Sequence, residues 1–274
     1  MDDPAAPLHA MDPTGRFSDR AEVYARYRPS YPAGAIDAIL EGLGEPRGLV
    51  CADVGAGTGI SARLVAERGV RVIAVEPNEA MRRAATPHPL VEWRDGTAES
   101  TGLADGAVDL VVCAQAFHWF RQEEALAEFR RSLRERGRVA LMWNIRDDGD
   151  PFTREYGAII DRVSTVDWKK KWTADVPAVR GTGHFRDLRR VKVPYVQEHD
   201  ADGLVGRAMC ASYVPRSGPG HEQVVRELME LHRAHADERG RVRLVYNTVV
   251  YLAERGKGIG CGPYHNGAAP SDPK

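Results

Sequence analysis

The sequence predicts an α/β fold, a largely parallel sheet with helices on both faces. Three observations carry that expectation. Short apolar runs alternate with helix-spaced segments from about residue 49 to residue 143. The first run, 49–54, is almost continuously apolar, as a strand buried on both faces requires. The 274 residues suffice for one large domain, and no internal repeat interrupts the alternation.

Residues 1–16, acidic and Pro-rich at the start, read as a disordered leader. Asp19 and Glu22, three apart, can cap a helix carrying Val23, Tyr24 and Tyr27, and Pro29 and Pro32 bracket a break. A helical pattern over 33–43 ends at Gly44. Strand 49–54 then leads into a helix over 60–68 that stops at Gly69. Strand 70–75, a short helix over 78–85 and strand 91–93 follow, then the very apolar strand 108–114. An amphipathic helix over 123–136 places Leu126, Phe129 and Leu133 on one face and is closed by Gly137. A fifth strand covers 138–143. The alternation breaks after Asp147. Residues 148–182, with Trp168, Trp172 and the run Lys169, Lys170, Lys171, read as an inserted helical segment over the mouth of the sheet. Two later strands, 189–197 and 241–252, are separated by helices over 202–212 and 219–238. The Gly- and Pro-rich stretch 256–274 reads as a flexible tail.

Composition narrows the function. A net charge of -1 gives no electrostatic case for nucleic acid or an anionic membrane as partner. No apolar run approaches the ~20 residues of a membrane span, and the first residues lack an apolar signal core. Cys51, Cys113, Cys210 and Cys261 are too far apart in sequence for a zinc knuckle or a redox pair. The expectation is a reduced, cytoplasmic setting and no metal.

The chemistry starts at Asp53-Val54-Gly55-Ala56-Gly57-Thr58-Gly59, between the first strand and its helix. A triphosphate loop needs Gly-Lys-Ser/Thr, which is missing. A dinucleotide loop places its third glycine at position 60, which is Ile60 here. S-adenosylmethionine is the third candidate. Its ammonium and sulfonium attract an acid before the turn, whereas a pyrophosphate is repelled by one. Glu76 closes the second strand, 23 positions after Asp53, where a carboxylate accepts from both ribose hydroxyls. That feature is shared with dinucleotide binding. Pro77 and Met81 would lie under the adenine, and Thr97 and Ala98 at its edge.

The ordered stretches DVGAGTG, AVEPN, GTAE and VDLVVCAQAFHWF together resemble the class I S-adenosylmethionine-dependent methyltransferases, closest to the small-molecule branch called methyltransferase type 11. FSDRAEVYARYRPSYP, ASYVP and VYNTVVYLAERG extend the likeness over about residues 17–255. The resemblance implies a Rossmann-like seven-stranded sheet of order 3-2-1-4-5-7-6 with the seventh strand antiparallel. It also implies helical substrate-cap segments at about 148–182 and 200–238. S-adenosylmethionine is the implied cofactor, held by Asp53, Gly55, Ala56, Gly57, Gly59, Glu76, Pro77, Met81, Thr97, Ala98 and Gln115. Tyr24 and Arg28 belong to a helix resembling this branch's lid, with Arg28 facing the cofactor carboxylate.

Methyl transfer requires a nucleophile held in line and water kept out. His118 is the candidate base, or else packs on Trp119. Gln115 is a candidate to orient substrate or cofactor. Phe117, Trp119, Asn144, Arg146, Trp168 and Trp172 are candidates for the substrate pocket. The expected function is methylation of a small molecule, oxygen favoured over nitrogen or carbon, in bacterial specialised metabolism. A cyclase or decarboxylase of the same fold, or a cofactor-binding regulator, are the alternatives, and a homodimer is compatible with the sequence.

Overall fold

The computed structural model describes residue 9, residues 21–164 and residues 175–256. The leader apart from residue 9, the tail beyond residue 256, Asp19, Trp168, Trp172 and the three lysines lie outside the described residues.

Seven strands form one sheet: β1 (Val50–Val54), β2 (Arg71–Val75), β3 (Val91–Arg94), β4 (Val108–Ala114), β5 (Leu133–Arg146), β6 (Phe185–His199) and β7 (Val242–Arg255). Their order is β3-β2-β1-β4-β5-β7-β6. The first five strands run parallel, and β7 is antiparallel to both β5 and β6. The Rossmann-like order implied by the family resemblance is therefore the observed one. Every residue of β1 is buried, because helices cover both faces. Val50, Ala52 and Val54 face one core with Leu126 and Phe129 of helix α5 (Gln122–Ser132). Cys51 faces the other, with Ile36 and Ile39 of α2 (Ala33–Leu40) and Val65 of α3 (Ile60–Ala66).

A third core lies apart from these two. It joins α6 (Pro151–Val163), α8 (Ala201–Met209) and α9 (Pro219–His235) to Val242, Leu244 and Tyr246 of β7. The same face of β7 continues with Val250 and Leu252 into the core under α2. One long strand thus supports both the sheet body and a helical cap. Helix α1 (Ala21–Tyr27) docks on α8, where a Cβ at Gly206 would come within 2.6 Å of the Tyr27 ring.

Two expected elements differ. The helix expected over 123–136 ends at Ser132. Leu133 is buried, but as the first residue of β5, paired with Val108. The next pairing, Leu110 with Arg138, loops residues 134–137 out of the ladder. Gly137 is not among the glycines with positive φ, so it does not close a helix. The segment expected over 148–182 also divides. Its first half is cap helix α6, whereas Val179 of α7 (Asp175–Gly181) packs into the sheet core with Phe185.

Candidate active site

The carboxyl ends of β1, β2, β4 and β5 open into a cavity of about 840 Å³, roofed by α1, α6 and α8. In an open α/β sheet the ligand lies at this edge.

The turn after β1 is held by close packing. Gly55 has φ 68°, and a Cβ there would meet that of Ala116 at 2.7 Å. Gly59 has φ 76°, forms the N-cap of α3, and would meet Trp93 at 2.8 Å. Each position demands glycine twice over, for its backbone and for its neighbour. Gly55, Ala56 and Gly57 line the cavity; Gly59 holds the turn from behind.

Asp53 does not line the cavity. It is fully buried at the end of β1, and its Oδ2 accepts from Ser61 Oγ at 2.6 Å. Its Oδ1 and Thr58 Oγ1 are buried with no hydrogen-bond partner among the described residues. Burial pushes the Asp53 carboxyl up to about 7, against the Ser61 hydroxyl and the Ala62 amide, which favour the charged form. Asp53 therefore acts on a cavity ligand from one layer down.

Glu76 faces the cavity at the end of β2. Its Oε2 accepts from Gly57 N at 2.8 Å and its Oε1 from Asn78 N at 2.9 Å. These two bonds tie the glycine turn to the start of α4 (Glu79–Arg83). Each carboxylate oxygen retains acceptor capacity, one for each hydroxyl of a vicinal diol. Burial raises the Glu76 carboxyl, opposed by the two amides and the Arg82 charge. Pro77, Met81, Thr97 and Ala98 line the same side. An orphaned acid oxygen beneath a glycine turn, beside a two-acceptor carboxylate, fits a cationic nucleoside.

Gln115 follows β4 with φ 56°, a left-handed conformation unusual for a non-glycine residue. Its amide donates to Met142 O at 2.8 Å and its side chain to Asn144 O at 3.2 Å, so β5 holds the strained residue in place. A 3-10 turn, Phe117–Trp119, carries His118 and Trp119 to the cavity. Phe117 points the other way. It is fully buried in the core with Phe129, so it is no substrate wall.

His118 Nδ1 accepts from Trp143 Nε1 at 3.4 Å, which leaves the hydrogen on Nε2 of the neutral ring. Burial, with the Arg28 charge added, lowers its imidazole to about 3. An imidazole so acidic is neutral near pH 7 but a poor proton acceptor.

Asn144 and Arg146 belong to β5 rather than to a loop beyond it. Asn144 lines the cavity, with its side-chain amide bonded at both ends. Its Oδ1 accepts from Thr248 Oγ1 at 2.6 Å and its Nδ2 donates to Ser30 O at 2.9 Å. It ties β7 to the segment after α1. Arg146 lines the cavity, lies over the Tyr156 ring and stands 3.5 Å from Asp161.

Tyr24 and Arg28 reach the cavity together, with the Arg28 guanidinium 4.7 Å from the Tyr24 ring centroid. Sequence reasoning missed Ser61, Tyr31, Arg207, Tyr213 and Tyr246, which also line it. Ser61 was within reach, two residues past the glycine turn. The others come from segments remote in sequence, Arg207 from α8, Tyr246 from β7, and Tyr31 and Tyr213 from connections between helices. Among the described residues no cluster of metal-ligating side chains exists, and no helix is long and apolar enough to cross a membrane.

Comparison with known proteins agrees with this geometry. Residues 52–141 match the family described as a methyltransferase domain. An uncharacterized methyltransferase-like protein of Schizosaccharomyces pombe is 31% identical over 85% of this chain and 92% of its own. An uncharacterized methyltransferase of Mycobacterium bovis is 35% identical over 86% of this chain and 94% of its own. Among solved structures, a provisionally assigned type II methyltransferase from Anaeromyxobacter dehalogenans superposes with a TM-score of 0.61. It is 25% identical and covers 84% of this chain and 97% of its own. With that sheet order, that glycine turn and these relatives, the chain belongs to the class I S-adenosylmethionine-dependent methyltransferases, and S-adenosylmethionine is its cofactor.

Proposed function

We propose that the acceptor is a small molecule, methylated on oxygen, held between the sheet edge and the cap. The observation that carries this reading is a cavity of about 840 Å³ walled both by the glycine turn and by cap side chains. That volume lies in the ~300–1,000 Å³ range of small-molecule sites.

When bound, the sulfonium supplies an electrophilic methyl carbon and a neutral thioether leaving group. The chain's own residues do the rest. Glu76 accepts from the ribose hydroxyls, and Asp53, through its buried charge, favours the cationic end. Arg28 pairs with the carboxylate, and Trp119 and the cap exclude water. His118, with its hydrogen on Nε2, donates to an acceptor oxygen and orients its lone pair; a ring lowered to about 3 does not take that oxygen's proton at neutral pH. This favours acceptors whose oxygen needs no strong base.

The test uses S-adenosylmethionine labelled in the methyl group, with the small-molecule and macromolecular fractions of a cell extract. Label is expected in the small-molecule fraction. Label confined to protein or nucleic acid overturns the proposal.

A further inference from the structure

Arg207 is a cation in the wall of the cavity that the chemistry above does not use. It projects from α8 in the cap, half-buried, and lines the same cavity as the glycine turn. Its Nε donates to Tyr246 Oη at 3.1 Å, and its guanidinium carbon lies 5.9 Å from the Tyr246 ring centroid. The ionisable groups acting most strongly on it are Tyr246, Tyr156, Cys210 and Tyr213, and its charge reaches Tyr24, Tyr195 and His199 in turn; none of the seven is a carboxylate. No described carboxylate pairs with it, in a chain where Arg138, Arg131 and Arg146 all have acidic partners. A guanidinium stays protonated at any working pH, and removing it from water is costly unless an anion meets it. The two terminal nitrogens have no acceptor among the described residues, while Nε is anchored by a phenol. That leaves the outer edge of a planar fork suited to a carboxylate or a phosphate.

This cation stands on a different element from the one expected to hold the cofactor carboxylate, although Tyr24 lies within electrostatic reach of both. Arg28 follows α1, beside Tyr24, which reaches over Gly57 of the glycine turn. Arg207 sits on the cap side, with Tyr156 of α6 and Tyr246 of β7. Building on the proposed small-molecule function, we propose that the acceptor carries an anionic group, a carboxylate or a phosphate, which Arg207 binds from the cap.

The test is calorimetry on the full chain saturated with S-adenosylhomocysteine, using benzoate, phenyl phosphate and neutral benzamide as probes. One of the two anions is expected to bind on the order of tenfold or more tightly than benzamide, as an added charge-assisted bond allows. Whichever it is names the anion. Arg207→Gln should abolish the preference, and Arg207→Lys, a point charge, should keep part of it. Affinity for S-adenosylhomocysteine should be unchanged in both variants, which also certifies that they fold. Three results overturn the inference: benzamide equal to both anions, a preference that survives Arg207→Gln, or a variant that loses S-adenosylhomocysteine to the same degree. The last would make Arg207 the cofactor's anchor. If the anions bind no better than benzamide while a small-molecule fraction still takes up label, only this inference fails. If label goes to macromolecules alone, the proposed function fails and this inference goes with it.

Discussion

Single carboxylates carry the cofactor end of this site, and each has a separate signature. Glu76 holds two backbone amides at 2.8 and 2.9 Å before any ligand arrives. Glu76→Ala removes the ribose acceptor and also leaves the Gly57 and Asn78 amides without their acceptor. We expect S-adenosylhomocysteine affinity to fall on the order of tenfold to a hundredfold, and stability by ~1–3 kcal/mol, read by calorimetry and urea unfolding. An unchanged dissociation constant would remove Glu76 from the ribose site. Asp53 predicts a pH dependence instead. Its folded value of about 7 lies above the ordinary 3.8, so between those values the folded chain holds a proton that the unfolded chain has lost. Stability contributed at Asp53 is therefore greatest at low pH and declines as pH rises from about 4 to about 7. His118 and His199 are lowered and act in the opposite sense, so the quantity to measure is the difference between wild type and Asp53→Asn. That difference should shift in favour of the variant as pH rises. Conversely, the ammonium that S-adenosylhomocysteine keeps after losing the sulfonium favours Asp53 ionised. S-adenosylhomocysteine should bind wild type more tightly at pH 8 than at pH 6, and Asp53→Asn should lose that increment. A flat difference curve would mean that Asp53 is ionised throughout.

At the scale of elements, the docking of α1 on α8 turns on Gly206. Its position allows no Cβ, since one would stand 2.6 Å from the Tyr27 ring. Gly206→Ala should cost ~1–3 kcal/mol through overpacking. It should also weaken S-adenosylhomocysteine binding, because α1 and the residue after it bring Tyr24 and Arg28 to the cavity. Unfolding curves and calorimetry on the variant check both; full affinity would show that α1 does not close the site. The sequence held much of this architecture and little of this contact. The parallel strands were legible because burial on both faces forces apolar runs such as 110–114. The turn was legible because Gly55 and Gly59 are required locally, by φ and by a neighbouring atom. The end of α5 was not, because Leu133 satisfies a helical stripe and a buried strand equally well. Phe117 was misplaced because a 3-10 turn sends neighbouring aromatic side chains to opposite sides, one to the core and one to the cavity. The structural ties of Asn144, which lines the cavity, were not legible because its partners, Ser30 and Thr248, lie more than a hundred residues from it. Arg207 carried no signal, since its significance comes from Tyr246, 39 residues away.

For the whole molecule, β7 is the strand shared by cap and sheet body. Val242, Leu244 and Tyr246 lie in the cap core, and Val250 and Leu252, on the same face, lie in the core beneath α2. Its pairing with β5 runs from Arg138 and Glu254 to Arg146 and Tyr246, so the half beneath the cap is laddered to the strand that ends at the cavity. Arg138 locks the other half, donating to Glu254 and to the carbonyls of Ile39 and Glu41. A cap built on such a strand cannot open without disturbing the sheet that carries the cofactor turn. It should therefore unfold with the body rather than ahead of it. Leu244 is fully buried in the cap core, and Leu244→Ala should cost ~2–5 kcal/mol through the cavity it leaves. Native-state hydrogen exchange distinguishes the two modes. If β7 couples them, amides of α9 and of β1 exchange with similar opening free energies, and the substitution lowers both alike. If instead α9 alone is deprotected while β1 keeps its wild-type protection, the cap is a separate unit. Access to the acceptor site would then be set by its local opening, not by the stability of the whole chain.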